Sequence, residues 1–258
     1  MAEVTAPLVQ MRGICKSYGG VQALKGVDLD LYVGETHALV GDNAAGKSSL
    51  IKTLAGAVRK DAGSISFEGR EVEIGDPRDA KALGVETVYQ DLALADNLDV
   101  PANVFLGREM TRRAPLHWFL DNGSMEAKAR ELLSRLKINI PNTRQKVRAM
   151  SGGQRQSIAI TRCVCFNARV IILDEPTAAL GVEETRKVYA LIREMRDHGR
   201  AVLIISHNMN HVFENCDRIT VMKTGRSIGT RRVCDTSQDE IVRMIVSGSA
   251  AVCAPVAA

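Results

Sequence analysis

Hydrophobic residues form two kinds of pattern along this chain, and the first kind dominates near the N-terminus. Short apolar runs typical of strands occupy residues 8–11, 27–31 and 36–40. In the second run Asp28 and Asp30 alternate with apolar residues, which predicts an antiparallel strand with one exposed face. The third run is apolar towards its end, which predicts a strand buried on both faces. This part of the chain therefore predicts a small antiparallel β unit that leads into a buried strand.

Helical patterns begin after the third run and return later in the chain. Residues 48–55 are predicted to be helical, with Gly56 suited to the C-terminal cap. In a second predicted helix Ser124 acts as the N-cap. The apolar positions of that helix share one face: Ala129, Leu132, Leu133 and Leu136. A third helix is predicted over 183–198 and ends at Gly199.

Two further apolar runs, at 170–174 and 201–206, lie on either side of the third helix. Strands that alternate with helices predict a parallel sheet with both faces covered. We therefore predict an α/β fold with an N-terminal antiparallel β subdomain.

A mostly helical stretch at about 91–159 separates two α/β parts, which cover about 8–90 and 160–247. This order predicts an α-helical subdomain inserted into the α/β core. The predicted boundaries are one domain over 8–247, with loose ends at 1–7 and 249–258.

Composition and charge exclude several classes of protein. Apolar residues make up 45% and charged residues 25%, which is the mix of an ordinary globular protein. The net charge of +4 is spread along the chain without a long basic block, which argues against a dedicated nucleic-acid binder. The longest apolar runs fall far short of the roughly 20 residues that a membrane-spanning helix needs. The six cysteines form no Cys-x-x-Cys pair, so we predict free thiols rather than a zinc site.

The strongest chemical signal is segment 41–48, which fits the pattern Gly-x4-Gly-Lys-Ser between a predicted strand and a predicted helix. In this context backbone N–H groups and the helix dipole bind phosphate. Lys47 then neutralises charge on the β- and γ-phosphates, and the Ser48 hydroxyl ligates Mg²⁺. The predicted nucleotide-binding residues are Gly41, Asp42, Asn43, Ala44, Ala45, Gly46, Lys47, Ser48 and Ser49. A glycine-containing turn before an ordinary helix is the alternative at this point.

A pair of acidic residues, Asp174 and Glu175, directly follows the apolar run at 170–173. A carboxylate at the end of a buried strand supplies the second part of a magnesium site, so Asp174 is a predicted metal ligand. Glu175 is placed to polarise a water molecule for attack on the γ-phosphate. Capping of the following turn is the structural alternative, although burial of two carboxylates without partners is costly.

A second helix that begins at an anion-binding sequence is predicted about twenty residues before Asp174. It starts with Ser151, Gly152, Gly153 and Gln154. The Ser-Gly-Gly sequence alone is a weak loop signal, but one nucleotide has no need for two such helix ends in the same chain. A second copy of the chain, facing the first head to tail, explains both.

The order of these motifs resembles the ATP-binding cassette of ABC transporters over about residues 8–247. The resemblance rests on Tyr18, residues 41–48, Gln90, residues 151–154, residues 174–175 and His207. It implies a P-loop NTPase core that hydrolyses ATP with Mg²⁺ as a head-to-tail homodimer. It also implies that Tyr18 stacks on adenine, that Gln90 meets Mg²⁺ and the attacking water, and that His207 lies near the γ-phosphate. The alternatives are a strand-end aromatic, a solvated loop residue and a buried imidazole, respectively.

Four segments narrow the resemblance to the simple-sugar import group, and above all to single-cassette fructose import ATP-binding proteins. They are residues 88–98, 103–109, 177–182 and 206–209. The resemblance implies an ATPase subunit for uptake of a monosaccharide, with fructose first and ribose or xylose next. The implied partners are integral membrane permease subunits and a periplasmic or extracellular sugar-binding protein. The implied location is the cytoplasmic face of the inner membrane, as a peripheral protein.

The chain departs from the wider cassette pattern at three positions. Ala44 replaces a usual Gly in the phosphate loop, Met150 a usual Leu, and Gly181 a usual Asp. At position 44 a backbone with positive φ would cost an alanine about 1–2 kcal/mol.

Two other functions are compatible with the fold. A soluble cassette ATPase that acts on ribosomes or DNA usually carries two cassettes or long coiled-coil or basic inserts, and this sequence shows neither. A degenerate, binding-only cassette is disfavoured because Lys47, Asp174, Glu175 and His207 are all present.

Overall fold

The computed structural model describes residues 6–112, 118–166, 168–178 and 180–250. The predicted loose ends at 1–7 and 249–258 lie almost entirely outside these ranges. Cys253 and Ala179 also lie outside them.

An antiparallel sheet forms the N-terminal part of the molecule and has the strand order β2-β1-β4-β5. Its strands are β1 (Val9–Tyr18), β2 (Val21–Leu31), β4 (Ala62–Phe67) and β5 (Arg70–Val72). Strands β1 and β2 are longer than the apolar runs predicted. In β1 the alternation of buried residues shifts phase between Met11 and Ile14, because a bulge forms there around Gly13, which has a φ of 60°. The prediction of an antiparallel β unit is confirmed.

A six-stranded sheet forms the core and has the order β10-β9-β3-β8-β7-β6. Its strands are β3 (Thr36–Val40), β6 (Val85–Val88), β7 (Val170–Asp174), β8 (Ala201–Ile205), β9 (Arg218–Lys223) and β10 (Arg226–Arg232). All neighbours pair in parallel except β9 and β10, which form an antiparallel hairpin. The predicted parallel sheet is thus confirmed, with one antiparallel edge strand added.

Eight α-helices pack on and beside these sheets in the described residues. They are α1 (Lys47–Leu54), α2 (Pro77–Ala82), α3 (Val100–Val104), α4 (Asn122–Arg135), α5 (Gly152–Cys165), α6 (Val182–Asp197), α7 (Met209–Asn215) and α8 (Gln238–Ser247). The prediction of Ser124 as a helix cap was wrong. Asp121 is the N-cap of α4 and accepts a hydrogen bond from the Ser124 N–H at 3.0 Å, because an ionised carboxylate is the stronger acceptor at a helix N-terminus.

Three hydrophobic clusters hold these layers together. The first fills the space between the two sheets and α1, and the second covers the opposite face of the six-stranded sheet. The third joins α3, α4 and α5. Helix α5 belongs to two clusters, because Ile158 packs in the third while Ala159 and Ile160 pack in the second. Its N-terminus is therefore positioned by both the core and the helical stretch.

Polar contacts also tie the helical stretch to strand β6. An ion pair joins Arg108, just beyond α3, to Glu86 of β6, with 2.9 Å between Nη2 and Oε1. The same guanidinium lies 4.3 Å from the ring centroid of Phe166. These contacts connect the edge of the core sheet to the residues that follow α3.

The cysteines of the described residues are free thiols. Cys163 and Cys216 are buried, whereas Cys234 is exposed. None of the helices in the described ranges combines the length and apolar character needed to cross a membrane.

Candidate nucleotide site

A cleft of about 590 Å³ opens where parallel strands of the core sheet end. Because the carboxyl ends of parallel strands meet at one edge, the loops after β3, β6, β7 and β8 converge there. The predicted site residues that line it are Tyr18, Asn43, Ala44, Ala45, Gly46, Lys47, Ser48, Ser49, Gln90, Asp174, Glu175 and His207. The fold thus brings together residues from five separate parts of the sequence.

The backbone of the phosphate loop adopts conformations that favour glycine. Gly41 has a φ of 148°, and a Cβ there would collide with the backbone carbonyl of Met222. Gly46 has a φ of 101° and is the N-cap of α1, where no side chain satisfies the first N–H groups of the helix. These N–H groups are left for a ligand, and a phosphate is the ligand that such a helix end favours.

Ala44 lies in the left-handed region with a φ of 64°. An alanine in this conformation carries about 1–2 kcal/mol of strain, which a glycine would not. The alanine that replaces the usual glycine at this position therefore strains the backbone of the phosphate loop.

The ammonium group of Lys47 is held inside the loop. Its Nζ donates hydrogen bonds to the carbonyl oxygens of Gly41 at 2.7 Å and Asp42 at 2.9 Å. Burial lowers the pKa of Lys47, while the nearby carboxylates of Glu175 and Asp174 act in the opposite direction. Charge of both signs is thus concentrated at the floor of the cleft.

The two acidic residues after β7 lie beside His207. Glu175 Oε1 is 3.0 Å from His207 Nε2, and the Glu175 side chain is 16% exposed while that of His207 is 53% exposed. That oxygen is shielded from solvent and contacts the His207 ring. Burial raises the pKa of Glu175, and His207 opposes this rise. A carboxylate with a raised pKa is a better proton acceptor near neutral pH.

Asp174 is the other acidic side chain of the cleft. Its pKa is also raised by burial, and the positive charge of Lys47 opposes the rise. A divalent cation would remove the penalty for a buried carboxylate, so the position of Asp174 fits a metal ligand.

Gln90 connects the cleft to a second cavity of about 370 Å³. This cavity also contains Gln156 of α5, which is only 5% exposed and whose Nε2 has no hydrogen-bond partner among the described residues. The segment after Gln90 is held by Asn103 of α3, which is fully buried. Its side chain accepts from Ala95 N at 2.7 Å and donates to the carbonyl oxygens of Ala95 and Asp99 at 3.0 and 2.9 Å.

The other predicted anion-binding helix end lies away from this cleft. Ser151 is the N-cap of α5 and forms a capping box with Gln154, in which each side chain accepts from the other backbone N–H. The Ser151 Oγ also donates a hydrogen bond to Glu184 Oε1 of α6 at 2.9 Å. Ser151, Gly153 and Gln154 line a separate groove of about 850 Å³, and Gly152 lines the cavity beside Gln90.

Two parts of the site were not predicted from the sequence. The turn at Thr224 and Gly225 lines the cleft, and the Gly225 N–H donates to Ala45 O at 3.0 Å. Its glycine signals a turn, but nothing in the sequence links that turn to a loop so much earlier in the chain. The second is Glu184. Its sequence position predicts a place in the helix at 183–198, but no sequence pattern links it to Ser151.

Comparisons with known proteins agree with this geometry. A family model described as "ABC transporter" matches residues 24–178. The chain is 48% identical to the fructose import ATP-binding protein FrcA of Rhizobium meliloti, over 86% of this chain and 87% of that protein. It is 44% identical to the xylose/arabinose import ATP-binding protein XylG of Sulfolobus acidocaldarius, over 93% and 94% of the two chains. A ribose import ATP-binding protein of Rubrobacter xylanophilus is 44% identical over 94% of this chain and 48% of its own length.

Solved structures match over nearly the whole chain. A nucleotide-free ATP-binding cassette from an ABC transporter aligns with a TM-score of 0.80 and 25% identity, over 93% of this chain and 95% of that one. The ADP conformation of another cassette aligns with a TM-score of 0.80 and 26% identity, over 94% and 96%. These matches confirm the P-loop ABC ATPase fold, and the chain belongs to the ABC transporter family.

Proposed function

We propose that this chain is the ATP-hydrolysing subunit of an importer that takes up a simple sugar through a separate membrane permease. The observation that carries the proposal is the cleft in which the phosphate loop, Asp174, Glu175 and His207 face one another. The relatives support a sugar as the transported substrate, since they are named for fructose, xylose/arabinose and ribose import. Fructose stands first because identity with the fructose protein, 48%, exceeds the 44% found with the other two.

ATP would bind with its phosphates at the N-terminus of α1. The unsatisfied N–H groups and the Lys47 ammonium would hold the phosphates, and Tyr18, which is 45% exposed at the mouth of the cleft, would stack on adenine. Mg²⁺ fits the same cleft because Ser48, Gln90 and Asp174 offer oxygen donors there. When bound, this ion supplies positive charge to the phosphates.

Glu175 would orient the attacking water and take its proton. The water oxygen attacks the γ-phosphorus, the bond from that phosphorus to the bridging oxygen breaks, and ADP and phosphate leave. The raised pKa of Glu175 and its position in the lining of the cleft suit this role. His207 would hold the Glu175 carboxylate and lie near the γ-phosphate.

A second copy of the chain would complete the site. Within one chain the α5 end with Ser151, Gly152, Gly153 and Gln154 does not line the phosphate cleft. A head-to-tail dimer would bring that end of one copy against the nucleotide of the other.

The helical subdomain, which we place at about 91–159, would transmit the change to the permease on the cytoplasmic side of the membrane. Its surface exposes apolar side chains that suit a protein contact: Leu106, Met110, Phe119 and Leu120. A sugar-binding protein outside that membrane would deliver the substrate.

Reconstitution of the chain with a sugar importer's permease and sugar-binding protein tests this function. We expect the ATPase rate to rise severalfold when the binding protein is loaded with one simple sugar, with fructose tested first, then ribose and xylose. Glu175→Gln in the same assembly is the control for background hydrolysis. A rate that no sugar-loaded binding protein changes would favour an ATPase that does not act in transport.

A further inference from the structure

We propose that Glu184 restrains Ser151 in the free subunit and so sets the ATP concentration at which two copies of the chain associate. This inference rests on the composite site proposed above. It assigns to Glu184 a positioning role that acts through Ser151.

The hydrogen bond between Ser151 and Glu184 occupies the helix end that the nucleotide of a partner copy would need. Ser151 Oγ donates to Glu184 Oε1 at 2.9 Å and accepts from Gln154 N at 3.3 Å. A hydroxyl group has a single proton to donate. While that proton is directed at Glu184, Ser151 cannot donate to a phosphate.

The packing of α6 against α5 brings the carboxylate of Glu184 over this helix end. A Cβ added to Gly153 would lie 2.8 Å from Glu184 Cδ and 2.9 Å from its Oε1. The absence of a side chain at position 153 is therefore what admits the carboxylate. An anion of the chain itself occupies a position that the helix dipole makes favourable for anions.

Approach of a γ-phosphate would set two anions at the same helix end. The carboxylate must then withdraw, and Ser151 must exchange one acceptor for another. Both steps oppose association in the absence of a sufficient ATP concentration.

The surroundings of Glu184 give the carboxylate a place to go. It borders the groove of about 850 Å³, and Lys187 lines the same groove one helical turn further along α6. In the described part of the chain Glu184 forms no ion pair, whereas its neighbour Glu183 pairs with Arg186 at 3.1 Å. Rotation away from Ser151 would bring the carboxylate towards the ammonium group of Lys187.

The test compares two variants in a Glu175→Gln background, in which ATP is bound but hydrolysed too slowly to disturb an equilibrium. Association is measured by sedimentation velocity across a series of MgATP concentrations. Glu184→Gln keeps the size and the acceptor oxygen but removes the charge. We expect the ATP concentration at half-association to fall on the order of threefold to tenfold. Glu183→Gln, on the exposed side of the same helical turn, should leave it unchanged.

Two further measurements separate this role from a purely structural one. The affinity of the monomer for a fluorescent ATP analogue should be the same in Glu184→Gln as in the chain that retains Glu184, and the melting temperature should fall by no more than about 4 °C, the cost of one charge at a helix N-terminus. A half-association concentration that stays constant or rises in Glu184→Gln overturns the role of Glu184. A Glu175→Gln protein that binds ATP but never associates, with Glu184 intact, overturns the composite site itself.

Discussion

The N-termini of α1 and α5 are both suited to anions, but they differ in what satisfies them. Helix α1 begins after Gly46 and has no side-chain cap. Helix α5 begins at Ser151 with a full capping box, and Glu184 adds a carboxylate from α6. One end is open to a ligand, while the other is filled by its own chain.

The N-terminus of α1 is already arranged for an anion, whereas the N-terminus of α5 must exchange one hydrogen-bond partner for another before it can bind one. The α1 end can accept phosphate without loss of a side-chain hydrogen bond, and the loop around Lys47 is already held by two carbonyl contacts. The α5 end must give up a hydrogen bond first. In the composite site proposed above, ATP would therefore bind to the phosphate loop of one chain before the α5 end of another chain engages it.

The largest expected effect isolates the chemistry at the α1 end. Glu175→Gln should bind ATP with near-normal affinity and lose turnover on the order of 10²-fold or more, because the amide cannot accept the proton of the attacking water. Steady-state ATPase assays and nucleotide titration measure the two properties. A turnover number equal to that of the native chain would remove Glu175 from the mechanism.

The next prediction distinguishes the two ends within one assembly. Lys47→Ala should lose ATP binding at the α1 end. Ser151→Arg should still bind ATP but hydrolyse it poorly, because the arginine obstructs the phosphate bound to the partner. Mixed dimers of the two variants contain one site with both defects and one native site. Mixing should therefore restore part of the ATPase activity, measured with the permease present.

The matched control for this mixture is a chain that carries both Lys47→Ala and Ser151→Arg. Mixed with the native chain, it leaves no intact site in the mixed dimer and should add no activity. Full activity of Ser151→Arg alone would contradict a composite site, as would a rate per chain that is constant on dilution below the dimerisation range.

Substitutions at the N-termini of α5 and α1 should have a smaller effect, which is on folding stability. Ser151→Ala removes the side-chain cap of α5 and should lower the free energy of unfolding by about 1 kcal/mol. Ser48→Ala at the start of α1 should change it by less than about 0.5 kcal/mol, because the Ser48 hydroxyl makes no hydrogen bond to any described residue. Urea unfolding without nucleotide measures both. Equal losses of unfolding free energy in the two variants would mean that side chains cap the N-termini of α1 and α5 to the same extent.

The smallest expected effect concerns the strain in the open end. Ala44→Gly removes the strain of a left-handed alanine but adds freedom to the unfolded chain, so we expect a net gain of less than about 1 kcal/mol. ATP affinity should stay equal or improve. Ala45→Gly is the control, because Ala45 is buried without a positive φ and should lose stability. A loss of stability in Ala44→Gly would show that the strain is not relieved there.

Local sequence patterns were sufficient for the parts of the fold that depend on local interactions. The runs at Thr36–Val40 and Val170–Asp174 match the strands residue for residue, because a short and mainly apolar run is typical of a strand that is covered on both faces. The phosphate loop was predicted because its spacing suits one short backbone path. Ser124 was misassigned because Asp121 offers a stronger cap three residues earlier.

Contacts between distant segments could not be predicted in the same way. Strand β10 is mostly polar and half-exposed, and only its pairing with β9 makes it a strand. Glu184 is 33 positions from Ser151, and their hydrogen bond depends on how α5 and α6 pack. Sequence periodicity shows which face of a helix is buried, but it does not show which polar residue meets the end of another helix.

The position of strand β6 at the edge of the core sheet has a mechanical consequence. Among the described residues β6 is the edge strand of the core sheet and pairs only with β7, and Gln90 lies two residues after its end. Through Glu86 and Arg108 it is also fastened to the helical stretch. We therefore expect a force on the helical stretch to reach β6 first, and β6 can shift with loss of only its pairing to β7. Strands β3 and β8, which lead to the phosphate loop and to His207, are separated from β6 by β7, so we expect this force to reach them only through β7.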